Sequence, residues 1–224
     1  METADFLDWI ARESEDFAVA LEAGDLDARV PGCPEWALRD LAEHLGRVQR
    51  FWAAVVRVGA DRKPPHPEIN PPVDAPGLAA WMRASTHDLL DALRATDPAT
   101  PAWVWWRDNR TVGAIARHQV QEAAVHRWDA QSAVGRPEPL ERPVADDGVE
   151  EFVWIARQLR EAAPITLTIT DTGRSIAVSD EASVATVSAT ASDLVLLLHG
   201  RVAADAVHVE GDRDVLAPFL VPIA

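Results

Sequence analysis

The feature that most constrains this chain is a set of metal-type side chains on helix faces that ought to be apolar. Glu122-Ala-Ala-Val-His126 lies in a run with helical periodicity. Residues four apart on a helix sit one above the other, and the stripe Ile115, Gln119, Glu122, His126 is the one that should face inward. Far upstream, His44 is flanked at i−3 by Leu41 and at i+4 by Val48 and should point inward too. Buried polar and charged groups must be satisfied. A divalent cation bound by two imidazoles and one carboxylate satisfies all three and keeps open coordination positions. The spacing alone also fits blander arrangements: a surface Glu/His pair worth a few tenths of a kcal/mol, or core histidines bonded to neighbours.

Around these residues the pattern is helical for the first 134 positions. Phe6, Leu7, Ile10, Phe17, Ala20 and Leu21 predict a helix over 4–23. Arg29 to Pro34 reads as a turn, with Pro34 opening a helix over 35–58 whose inward stripe holds Leu38, Leu41, His44, Leu45, Val48, Trp52 and Val55. A proline-rich loop (63–76) follows, then a helix over 76–93, a cluster Trp103-Val-Trp-Trp106, and a helix from Thr111, a plausible N-cap, to Ala133. Four helices with short and long connections predict a four-helix bundle.

The pattern then changes. Three prolines between Gly135 and Pro143 mark a linker, drawn over 135–145. A helix is expected over 146–162. Ile165-Thr-Leu-Thr-Ile-Thr170 alternates strictly and reads as a strand, Asp171 to Arg174 as a hairpin turn, and 175–179 as its return. Further strands are expected at 185–189 and 206–210, with a short apolar helix over 191–199 started by Ser192 and a last helix after Asp214. The fold class is therefore α+β: a bundle over 1–134 and a small α+β domain with a mainly antiparallel sheet over 146–224.

Composition narrows the functions. A net charge of −15 argues against nucleic-acid and anionic-membrane surfaces, which need basic patches. Lys63 is the only lysine among 21 basic side chains, which suggests a GC-rich genome. The single cysteine, Cys33, excludes an intrachain disulfide and suits a reducing cytoplasm. The N-terminus lacks the basic-then-apolar pattern of a signal peptide, and no apolar run reaches the ~20 residues of a membrane span.

Val30-Pro-Gly-Cys-Pro-Glu-Trp-Ala-Leu-Arg-Asp-Leu-Ala-Glu-His-Leu-Gly46 resembles the first signature of the mycothiol-dependent maleylpyruvate isomerase family. Glu122-Ala-Ala-Val-His-Arg-Trp-Asp-Ala130 resembles its second. Ala191 to Arg201, followed by Val209-Glu-Gly-Asp212, is similar to its C-terminal domain. The resemblance implies a DinB-like bundle with metal ligands His44, Glu122 and His126, and a sterol-carrier-like second domain. It implies zinc, or nickel or another divalent ion, as the metal, and mycothiol as a thiol cosubstrate. A thiol bound to such a cation is deprotonated at neutral pH and can attack a small electrophile, anionic or neutral, in isomerisation or S-transfer. The alternatives are a DinB-like metal-dependent hydrolase and a non-catalytic, metal-stabilised binding module.

Other residues carry weaker signals. Arg201 can bind an anionic substrate or be an ordinary turn arginine, and Arg47 and Arg127 can bind a substrate carboxylate or lie on a solvated face. Cys33 is read as part of the turn rather than as a nucleophile. His118 lies next to the metal face, one residue off the stripe, and reads as a partly exposed side chain or one that touches a ligand rather than the ion. Asp129, at i+3, can orient His126, since a metal-bound imidazole commonly donates its other N–H to a carboxylate.

Overall fold

The computed structural model describes residues 3–60, 62–159, 162–216 and 220. They form two compact units, Met1–Glu138 and Pro139–Ala224.

The first unit is an α-helical bundle: α1 (Thr3–Ala23), α2 (Leu38–Val58), α3 (Ala75–Arg94) and α4 (Val112–Ala133). Helix α1 packs on α3 and α4, and α2 packs on the same two helices. Phe17, Leu21, Leu38, Leu41, Leu45, Leu78, Met82 and Ala130 interlock as its core. On α2 a close approach is made possible by Gly46: a Cβ there would lie 2.1 Å from the Trp81 ring of α3. Glycine costs helix stability, about 1 kcal/mol relative to alanine, and this tight contact explains its place. The caps fall where short polar side chains allow them. Thr111 Oγ1 accepts from Ala114 N at 3.2 Å, and Asp74 Oδ1 accepts from Gly77 N at 2.9 Å.

The entry to α2 departs from the sequence expectation. Residues Arg29–Val30 (β1) and Cys33–Ala37 (β2) pair as a small antiparallel hairpin, so the helix begins at Leu38 and not at Glu35. Pro34 sits in a two-stranded ribbon, where every strand is an edge and a missing N–H is tolerated. Asp40 Oδ2 accepts from Ala37 N at 2.9 Å and starts the helix in its place.

The second unit contains α5 (Arg142–Leu159), a sheet of β3 (Ile165–Ile169), β4 (Arg174–Ala177), β5 (Ala185–Ala189) and β6 (His208–Gly211), and α6 (Ala191–Leu198). Helix α5 starts earlier than expected because Pro143 is accommodated in its first turn, where its missing N–H would be unpaired anyway. The strand order is β4-β3-β5-β6, antiparallel except for β3–β5. Ile165, Leu167 and Ile169 are buried while Thr166 and Thr168 face outward, as strict alternation requires. Helix α6 packs on β3 and β5, and α5 packs on α6. The cap of α6 is Thr190 rather than Ser192: Thr190 Oγ1 accepts from Asp193 N at 3.1 Å, while Ser192 Oγ accepts from Leu140 N at 3.0 Å. A short 3-10 turn, Arg213–Leu216, follows β6, and the last expected helix lies otherwise outside the described residues. Among the described residues no helix is long and apolar enough to cross a membrane.

Candidate functional site

His44 from α2 meets Glu122 and His126 from α4, with one donor atom of each within 4.8 Å of the others. Glu122 Oε2 stands 3.4 Å from His126 Nε2 and 4.0 Å from His44 Nε2. The two imidazoles meet edge-on with centroids 5.0 Å apart. Exposure is graded: the His44 side chain is 35% exposed, Glu122 25% and His126 10%, so the cluster opens on its His44 side.

Behind His126 stands Asp129, fully buried, with Oδ2 3.0 Å from His126 Nδ1. That contact orients the ring, with Nδ1 turned to the Asp129 carboxylate and Nε2 turned to Glu122. The Cys33 thiol reaches the same Asp129 oxygen at 4.0 Å. The hairpin that displaces the start of α2 thus supports the site. It carries Cys33 to Asp129 and lays Trp36 against His44, with ring centroids 4.8 Å apart, and within 6.5 Å of His126.

The electrostatics favour a cation at this point. Burial works against the charge of Glu122, but the hydrogen bond from His126 and the positive fields of His126, His118 and His44 overcome it, and the carboxyl is held well below the usual carboxylate range. Burial likewise works against the His126 cation, but Asp129 and Glu122 outweigh it and raise this imidazole to about 9. Near neutrality His126 is therefore held as a cation between two carboxylates, Asp129 and Glu122. The donor set also suits a divalent ion: nitrogen and oxygen ligands about 2.1 Å from a tetrahedral ion stand about 3.4 Å apart, a spacing that Glu122 and His126 match at 3.4 Å and that Glu122 and His44 exceed at 4.0 Å.

Other residues singled out in the sequence fall elsewhere. Arg127 is buried by α1, donating to Glu13 Oε2 at 2.8 Å, Gln131 Oε1 at 2.7 Å and the Glu138 carbonyl at 2.8 Å. This corrects its reading as a substrate-binding arginine. Arg47 is exposed on α2. Arg201 belongs to the second unit, in the turn after α6, where Nη1 donates to the His199 carbonyl at 2.7 Å. In that unit His199 Nδ1 lies 2.9 Å from the Val195 carbonyl, and His208 pairs with Glu210 on the surface.

Two further side chains of α4 flank the ligand set. His118 Nε2 lies 3.7 Å from Glu122 Oε1, inside a cage of tryptophans. Gln119, one turn below Glu122, is buried with neither amide atom hydrogen-bonded among the described residues.

Comparison with known proteins gives a consistent result. Residues 7–131 match the family model of the mycothiol maleylpyruvate isomerase N-terminal domain, and residues 114–218 match that of the MDMPI C-terminal domain. Two solved structures, of the mycothiol-dependent maleylpyruvate isomerase and of a point mutant of it, each superpose with a TM-score of 0.75 over 95% of both chains at 12% identity. At that identity the likeness speaks for the fold. Among curated proteins none matches this chain.

Proposed function

Because this chain belongs to the mycothiol maleylpyruvate isomerase family, we propose that it is a metal-dependent enzyme using a low-molecular-weight thiol, mycothiol, on a small electrophilic substrate. His44, Glu122 and His126 hold the ion, with zinc first and nickel or another divalent metal as the alternatives. The reaction is isomerisation or S-transfer. The observation that carries this reading is the convergence of three donor atoms within 4.8 Å from two separate helices, one of them backed by a buried carboxylate.

Bound there, a divalent ion supplies Lewis acidity sufficient to deprotonate a thiol at neutral pH. The chain's own residues set the stage for that chemistry. Asp129 fixes the ring of His126 and raises its basicity. Glu122 contributes the single negative charge among the three donors, so the ion retains net positive charge. Trp36 covers one side of both imidazoles and limits water there, while the part-exposed His44 leaves an approach for ligands. A lone cysteine and a thiol cosubstrate both suit a reducing cytoplasm.

The test is turnover of maleylpyruvate and of a panel of activated alkenes, with and without mycothiol, by metal-loaded and chelator-treated protein. This reading expects product only when thiol and metal are both present. Metal-dependent turnover that ignores the thiol would replace it with a hydrolase, and a metal-loaded protein inert to every substrate would favour a binding module.

A further inference from the structure

Glu122 has two oxygens, and the structure separates their neighbours. Oε2 faces His126 and His44, at 3.4 and 4.0 Å. Oε1 faces His118 Nε2 at 3.7 Å, one helical turn back along α4. The imidazole of His118 is closely confined. Trp106, Trp105 and Trp52 surround it with ring centroids 5.3, 5.7 and 6.1 Å away, all steeply inclined to it, and its side chain is only 14% exposed.

That confinement is built from distant chain. Trp52 comes from α2, and Trp105 and Trp106 come from the connection between α3 and α4. The connection is held in shape by the Pro101–Thr111 bridge, by Trp103 N donating to the Gly59 carbonyl at 3.2 Å, and by Trp106 Nε1 donating to the Asn109 carbonyl at 3.4 Å. Asn109 itself adopts φ 48°, the left-handed region in which asparagine is among the tolerated residues. A histidine held this firmly beside one carboxylate oxygen loses little further freedom in keeping that oxygen in place.

We infer that His118 is a positioning residue that holds Glu122 Oε1 away from the ion, so that Glu122 ligates through Oε2 alone and leaves coordination room for both thiol and substrate. This rests on the metal reading given above and deepens it. The ligating carboxylates of metal sites are commonly fixed by outer partners of this kind, and loss of such a partner typically costs about 10–100-fold in metal affinity.

Cobalt(II) serves as the probe, because its visible absorption reports coordination number independently of catalysis. Wild type, His118→Phe and His118→Gln are titrated with cobalt, with folding checked by circular dichroism and thermal melting. Phenylalanine keeps a ring in the tryptophan cage and removes the polar nitrogen; glutamine restores a polar donor. The expected result is cobalt binding about 10–100-fold weaker in His118→Phe, with the weaker absorption of a higher-coordinate ion, and recovery to within a few-fold in His118→Gln. If His118→Phe does not fold, His118→Leu takes its place in the same comparison. An apolar variant with wild-type affinity and spectrum would overturn the positioning role while leaving the metal reading intact. A wild type that takes up no cobalt would overturn both.

Discussion

Replacing Asp129 by asparagine separates two effects that the structure couples at His126. Without an ion, the Asp129 and Glu122 carboxylates raise His126 to about 9. A metal at Nε2 must displace that proton. Below about 9, the apparent affinity of the wild type therefore rises about tenfold per pH unit, or about a hundredfold between pH 7 and 9. Asp129→Asn acts in both directions. It removes the charge that orients and enriches the ring, which should cost about 10–100-fold in intrinsic affinity, equivalent to about 1.4–2.7 kcal/mol. It also lowers the His126 pKa, which relieves competition by the proton near neutrality. The two effects oppose each other at pH 7, whereas only the loss remains at pH 9. Competition against a chromophoric chelator from pH 6.5 to 9 reads both. The variant should lie close to wild type at pH 7 and furthest below it at pH 9, with a flatter profile. Calorimetry in two buffers of different ionisation enthalpy should find about one proton released per ion at pH 7 by the wild type and less by the variant. Parallel profiles, or a wild-type affinity indifferent to pH across this range, would refute the reasoning. The same shift has a consequence for the ion-free protein. A raised histidine pKa stabilises the fold fully below its ordinary 6.5, and that contribution is lost as pH rises through about 9.

Two further outcomes concern the helix that carries Glu122 and His126. Glu13→Gln leaves the Arg127 guanidinium buried without its carboxylate, both side chains being only 4% exposed; urea unfolding should register a loss of about 3–5 kcal/mol, and a change below about 1 kcal/mol would show the pair to be dispensable. Gln119→Leu removes a buried amide with no partner among the described residues and should raise stability by about 1–3 kcal/mol in the same assay, whereas destabilisation would show that the amide is bonded.

How far the sequence could be read follows from the range of each interaction. The stripes through His44 and through Glu122 and His126 were legible because a 3.6-residue period places a side chain on a helix face without knowledge of the partner. Thr111 was legible as a cap for the same local reason. Pro34 pointed to a helix start, but proline suits a strand edge as well, and the pairing of Arg29 with Ala37 puts it there. That pairing is what brings Trp36 to the imidazoles and Cys33 to Asp129. Arg127 follows a site residue in sequence but lies about 100° further round the helix, facing α1, and nothing near it in the chain announces Glu13 as its partner. His118 sits about 40° to one side of Glu122 on α4. Its significance depends on tryptophans delivered by a connection whose path no periodicity encodes.

The most direct test of the central claim is elemental analysis of untagged wild type beside His44→Ala. The two helices hold a single ion if wild type contains about one equivalent of zinc, nickel or another divalent metal and His44→Ala, folded to the same circular dichroism, contains little or none. A wild type that remains empty after incubation with each divalent ion in turn would contradict the claim and leave His44, Glu122 and His126 as a hydrogen-bonded polar cluster of the bundle.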